Sequence, residues 1–125
     1  MNAPLTVLRL YADESGASCF STYEIQRDLR DFAPPAAPLF ASDVVAASGY
    51  TVLRLPAGWT GERHPSPRRQ ILFCLSGRVR ITPDLGEPQI ISTGDAWMME
   101  DTKGSGHKTE VISDEPFDAV VVQIP

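Results

Sequence analysis

Glycine and proline cut this chain into short pieces, and that punctuation limits what it can fold into. The 125 residues include 9 glycines and 11 prolines, and the intact runs between them are brief and rich in β-branched and apolar side chains. Thr6–Tyr11 (TVLRLY) alternates in the manner of a half-buried strand, and Asp13–Gly16 (DESG) follows with turn chemistry before a second strand at Ser18–Ile25. Tyr50–Leu55 (YTVLRL) predicts a strand ended by Pro56-Ala57-Gly58. Gln70–Thr82 (QILFCLSGRVRIT) predicts two more, with Gly77 as the bend. Gln89–Ser92, Ala96–Met99, His107–Ile112 and Ala119–Ile124 complete the pattern, with turns at Thr93-Gly94-Asp95 and Gly104-Ser105-Gly106. About eight short strands and no long helix predict an all-β sandwich or barrel.

Asp31–Pro38 (DFAPPAAP) is excluded from helix and central strand, because its three prolines lack a backbone donor and fix φ. It is expected to run as an extended arm over the surface. The length fits one domain, 1–125, with N-terminal strands and the arm over 1–48 and the barrel core over 49–125.

Ile71–Leu75 is apolar at every position, whereas a strand with one wet face alternates. One face fills the interior; the other needs a second sheet or a second subunit. A homodimer is therefore expected, with Ala119–Val122 pointing the same way.

Composition removes several partners. A net charge of −5 disfavours nucleic acid and anionic membrane surfaces, which reward clustered Lys and Arg. The paired Arg68-Arg69 is too short to reverse this. No apolar run reaches the ~18–20 residues that span a bilayer, and Met1–Leu10 lacks the pattern of a secretory signal, so a cytoplasmic location is expected. Cys19 and Cys74 have no CxxC spacing; Cys74, inside its apolar run, reads as a buried reduced thiol.

The candidate chemistry lies between Gly58 and His107. His64 and His107 are the only histidines, and each has two readings: lining a ligand site, or bonding a carbonyl as a structural group. Gln70, Leu72 and Cys74 share a strand face by the two-residue period, which makes a pocket wall that turns apolar with depth. Gln70 also reads as a buried amide bonded to its neighbours. Trp59 stands where it could line the mouth, although Tyr50, Trp59, Trp97, Met98 and Met99 fit core or dimer contacts better. Arg68 or Arg69 could hold an anionic substrate through paired N–H donors, or each could form a surface salt bridge. Glu100-Asp101-Thr102 reads first as a turn cap. The KGSGHK run of Lys103–Lys108 lacks the Gly-Lys-Ser/Thr of a phosphate loop.

The spacing Gly58-x5-His64-x-Ser66-x3-Gln70-x6-Gly77 resembles the first motif of the cupin superfamily, Gly-x5-His-x-His-x3or4-Glu-x6-Gly. The second motif, Gly-x5-Pro-x-Gly-x2-His, is matched loosely by Gly94, Glu100 in the proline position, and His107 two residues late. The segment Glu100–His107, together with His64-Pro65 and Arg68-Arg69-Gln70, is similar to a subgroup of small bacterial cupins. The resemblance implies a jelly-roll β-barrel whose motif residues converge on a divalent metal (Fe, Ni, Mn or Zn). By position those residues are His64, Ser66, Gln70 and His107. Two of them depart from the pattern: Ser66 stands for a histidine and Gln70 for the carboxylate. A neutral hydroxyl is a poor ligand for a late transition metal, and an amide leaves a dication's charge uncompensated. The remaining candidate ligands are His64, Gln70 and His107.

Three functions follow from this reading. The first is a pocket for a small organic ligand, lined by His64, Ser66, Gln70, Leu72, Cys74, His107, Trp59 and Arg68, with no firmly held metal. The second is a metal-dependent enzyme of oxygenase, isomerase or lyase type at His64, Gln70 and His107. The third is metal-free acid–base catalysis, as in sugar epimerases of similar barrel shape, with Glu100 or Asp101 orienting His107.

Overall fold

The computed structural model describes residues 2–125. Strands run over Leu5–Ala12 (β1), Ser18–Ile25 (β2), Asp28–Arg30 (β3), Leu39–Ala41 (β4), Gly49–Leu55 (β5) and Gln70–Ser76 (β6). They continue with Arg78–Thr82 (β7), Gln89–Ser92 (β8), Ala96–Glu100 (β9), Lys108–Val111 (β10) and Phe117–Gln123 (β11). Among the described residues none is helical, and no helix is long and apolar enough to cross a membrane.

Six strands form one sheet in the order β2-β1-β9-β6-β11-β5, and three form a second in the order β10-β7-β8. Every pairing is antiparallel except β1 with β9. The sheets face each other without closing through a continuous ladder. The expected all-β jelly-roll architecture is present as this open two-sheet form. Loop 56–69 narrows one gap by following β10: Gly61 N–H donates to Thr109 O, Val111 N–H to Trp59 O, and His64 and His107 exchange both backbone bonds at 3.0 Å.

The two faces of the large sheet are sorted by the strand period. On β6, Leu72 and Cys74 enter the interior core with Leu10, Trp97 and Phe117, while Ile71 joins Val7, Ala96 and Met98 in a second cluster on the outer face. Each fully buried large side chain contributes ~1.5–3 kcal/mol, so the interior cluster carries most of the stability. Phe73 and Leu75, also outward, remain exposed. The apolar run Ile71–Leu75 thus serves one packed face and one that this chain covers only in part.

Gly77 makes the β6–β7 reversal with φ 81°. A Cβ there would sit 2.5 Å from Pro116 O, closer than any side chain tolerates, so the motif glycine is needed for packing as well as for its left-handed backbone.

The segment around the prolines differs from the expectation of a plain extended arm. Asp28–Arg30 and Leu39–Ala41 pair antiparallel, and Asp31–Pro38 is the loop between them. Strands of three residues are too short to register as alternation, and the prolines mask them.

Candidate functional site

Between the sheets lies a cavity of about 170 Å³. Gln70 and Leu72 reach it from β6, Trp97 and Met99 from β9, Trp59 and His64 from loop 56–69, and His107 and Thr109 from the other side. Its polar groups gather around His64, Gln70 and His107; Leu72, Trp97 and Phe117 make much of the remaining wall. Two larger grooves, of about 610 and 510 Å³, lie on the outer face of the six-stranded sheet. The smaller cavity between the sheets is the better ligand site, because it borders the buried core and gathers polar groups from several elements.

His107 is 1% exposed and its Nδ1 lies 2.6 Å from Asp101 Oδ2. Asp101 is fully buried, and its other oxygen accepts from Ser66 Oγ at 2.7 Å. Both carboxylate oxygens are therefore satisfied, the condition under which such a group survives burial. A carboxylate at Nδ1 fixes the tautomer: the proton sits on Nδ1, and Nε2 carries the lone pair when the ring is neutral. The His107 ring meets Trp97 edge-on at 5.2 Å and the His64 ring at 5.0 Å. His64, exposed at the mouth, donates through Nδ1 to Glu62 O at 2.7 Å, so its Nε2 is likewise the basic nitrogen.

Local sequence explains this convergence. Along β9, Trp97 and Met99 point inward and Met98 outward, and Asp101 continues the inward parity one step past the strand end. The chain then doubles back through Gly104 and Gly106, with φ 74° at both. A Cβ on Gly106 would lie 2.0 Å from His64 O, so only glycine lets the two histidine backbones pair.

Of the residues marked in the sequence, His64, Gln70, Leu72, His107 and Trp59 meet around the cavity. Ser66 lies off the cavity wall, buried and turned to Asp101. Cys74 lies deeper in the core, outside the wall, where burial pushes its thiol up to about 11, so it stays protonated. Arg68 is exposed and lines no part of the cavity. The reading of Glu100-Asp101-Thr102 as a turn capped by the Asp and Thr side chains is not met: the Thr102 N–H bonds the Glu100 backbone O, while the Asp101 side chain goes to Ser66 and His107 and the two carboxylates face opposite ways. Sequence reasoning offered Glu100 or Asp101 as the carboxylate that orients His107, and the structure gives Asp101; the inward parity of Trp97, Met99 and Asp101 was the signal that separates the two.

The arrangement can be tested against a divalent metal. Two imidazoles with Nδ1 occupied by outer acceptors are the usual posture of metal-binding histidines. The other donors fail to match. Ser66 is committed to Asp101, and Gln70, whose NH2 donates to Met99 Sδ at 3.6 Å, offers only a neutral amide oxygen. Among the described residues no three His, Cys, Asp or Glu side chains come together as a cation site. Two neutral rings and one neutral amide leave a dication's charge uncompensated, so these residues do not fit a firmly held metal.

Comparison with known proteins agrees with the fold. The family described as Cupin domain matches residues 51–123. A Cupin 2 conserved barrel domain protein from Salinispora arenicola superposes with a TM-score of 0.52 at 19% identity, covering 81% of this chain and 76% of that one. The cupin domain of Cnp3 from Schizosaccharomyces pombe gives 0.49 at 12% identity, over 99% and 84% of the two chains. A conserved protein of unknown function from Streptococcus pyogenes gives 0.44 at 28%, over 67% and 70%. No curated protein matches the sequence. With its family match spanning more than half of the residues and its two sheets arranged as in a solved cupin barrel, the chain belongs to the cupin family.

Proposed function

We propose that this cupin encloses a small organic ligand in its interior cavity, without a firmly held metal. The observation that carries the reading is the convergence of His64, Gln70 and His107 on a cavity whose other walls are largely apolar. Both histidines engage Nδ1 elsewhere, with Glu62 O and with Asp101, which leaves each Nε2 to a guest. The volume of about 170 Å³ limits the guest, since a cavity of ~150 Å³ accepts benzene. A one-ring compound bearing a carboxyl or carbonyl group fits the space, and an acid proton can bond an imidazole Nε2. Thermal-shift screening of one-ring acids and ketones, beside elemental analysis of untagged protein, tests this. Stabilisation by such compounds with negligible metal is expected; near-stoichiometric Fe, Ni, Mn or Zn would overturn it.

One observation favours a second reading, metal-free proton transfer. The Asp101 carboxylate holds His107 in the tautomer with a basic Nε2, the posture of a general base. That nitrogen would take a proton from the carbon next to a ligand carbonyl, giving imidazolium and enolate, then return it to the same carbon. In heavy water this exchanges deuterium into the ligand, which NMR reads directly. Loss of exchange in His107→Gln supports the reading. Exchange that continues unchanged in that variant excludes it.

A further inference from the structure

Two arginines close on a single carboxylate at the end of β9. Arg9 Nε donates to Glu100 Oε1 and Arg69 Nε to Glu100 Oε2, so two cations share one anion. Each guanidinium is held by its Nε edge. Among the described residues the Nη groups of Arg69 have no partner, and Arg9 adds only a long contact of 3.5 Å from Nη1 to Ser21 Oγ. The two side chains are 37% and 46% exposed, so these remaining donors are open to water. Arg9 Cζ lies 4.3 Å from the centre of the Tyr11 ring, a cation–π contact that holds the guanidinium in place.

The clamp lines a groove of about 300 Å³, which Thr102 and Lys103 join from the turn after β9. Both are exposed, and Lys103 forms no ion pair among the described residues. Their turn is seated against the β1–β2 turn: a Cβ on Gly104 would lie 2.0 Å from Gly16 O, so glycine at 104 lets the two turns meet and fixes where Lys103 stands. Asp13 also borders the groove, but its Oδ1 accepts from the N–H groups of Ser15 and Ala17 within its own turn. Three cations against two carboxylates leave the groove one positive charge in excess, on a chain whose net charge is −5.

We propose that this groove is a second binding site, which takes the phosphate group of a small phosphomonoester. The donors come from three elements: Arg9 from β1, Arg69 from the end of loop 56–69, and Thr102 and Lys103 from the turn after β9. A planar carboxylate is matched by one guanidinium fork, as Glu100 already is in part. A phosphate offers three acceptor oxygens and up to two charges, so it can use donors that arrive from several sides. The volume stands at the small end of ligand sites and leaves room for a short organic part. Glu100 is the built-in competitor, because it holds both Nε edges and repels an incoming anion. This site is independent of the interior cavity and of what that cavity binds.

Isothermal titration calorimetry of the full chain with glycerol phosphate at low ionic strength tests it. Saturable one-to-one binding is expected, with no saturable heat from sodium chloride at matched ionic strength. Lys103→Gln and Arg69→Gln should each weaken binding about tenfold, the loss of one charge-assisted hydrogen bond. Lys103 is exposed, so its variant should fold, as circular dichroism would verify. Glu100→Gln should tighten binding several-fold, since it removes the competing carboxylate and keeps the shape; a clamp with a structural role alone gives no such gain. Arg80→Gln, an equal loss of charge at an exposed position of β7, should leave binding unchanged. Absence of saturable binding would overturn the proposal, as would binding unmoved by both Lys103→Gln and Arg69→Gln. Succinate bound as tightly as glycerol phosphate would also overturn it, and so would Arg80→Gln weakening binding as much as Lys103→Gln.

Discussion

Glu100 and Asp101 are chain neighbours with opposite surroundings. Glu100 ends the outward parity of β9 and lies between Arg9 and Arg69, in reach of water. Burial pushes its carboxyl up, but the hydrogen bonds from Arg69 and Arg9 outweigh that and hold it below the ordinary value. Asp101 steps inward, loses all contact with water, and spends both oxygens on Ser66 and His107. One residue of strand period separates a screened surface clamp from a buried network. The same chemical group is cheap to alter in one place and costly in the other, because solvent rescues a broken pair only where solvent can reach.

The sharpest test of that contrast is truncation of each partner. Asp101→Ala should cost about 3–5 kcal/mol in urea unfolding, since it strands Ser66 Oγ and His107 Nδ1 in a dry core. Asp101→Asn keeps the shape and should cost less. Loss of under 1 kcal/mol for the alanine variant would break the comparison. Gly106→Ala addresses the turn that brings His107 back to Asp101. The left-handed backbone alone costs ~1–3 kcal/mol, and the clash with His64 O adds to it. The paired His64 and His107 NMR signals should separate or broaden; a variant with wild-type stability and spectra would show that the turn is not the constraint. Glu100→Gln has the smallest effect, below ~1 kcal/mol near neutral pH and weaker in high salt.

Glu100 also has a pH signature. With the folded value depressed, its contribution is present above the unfolded value near 4.5 and is lost as pH falls through the folded one. Glu100→Gln should therefore flatten the acid limb of the stability curve below that pH. An unchanged limb would mean that the two arginines give Glu100 no net support.

Much of the barrel was legible because strands announce themselves by period and turn. Gln70, Leu72 and Cys74 share the inner face as their spacing requires, and Gly77 sits at a reversal that admits no side chain. The β3–β4 hairpin was illegible, since three residues cannot show a period. The choice of Asp101 over Glu100 as the partner of His107 was hidden for another reason: His107 is brought back by a glycine turn, and contact across a turn is not written in spacing. Ser66, in a family ligand position, turned out to serve the carboxylate behind His107, which only coordinates of both could reveal.

The central claim is that the interior cavity takes an organic guest on the Trp97–His107 side without a metal. The chain has two tryptophans, Trp59 and Trp97, so two indole N–H signals suffice to report on it. Titration of untagged protein with one-ring carboxylates such as benzoate, before and after chelator treatment, should move the Trp97 signal saturably and equally in both samples. No movement with any one-ring acid or ketone, or movement abolished by the chelator, would contradict the account.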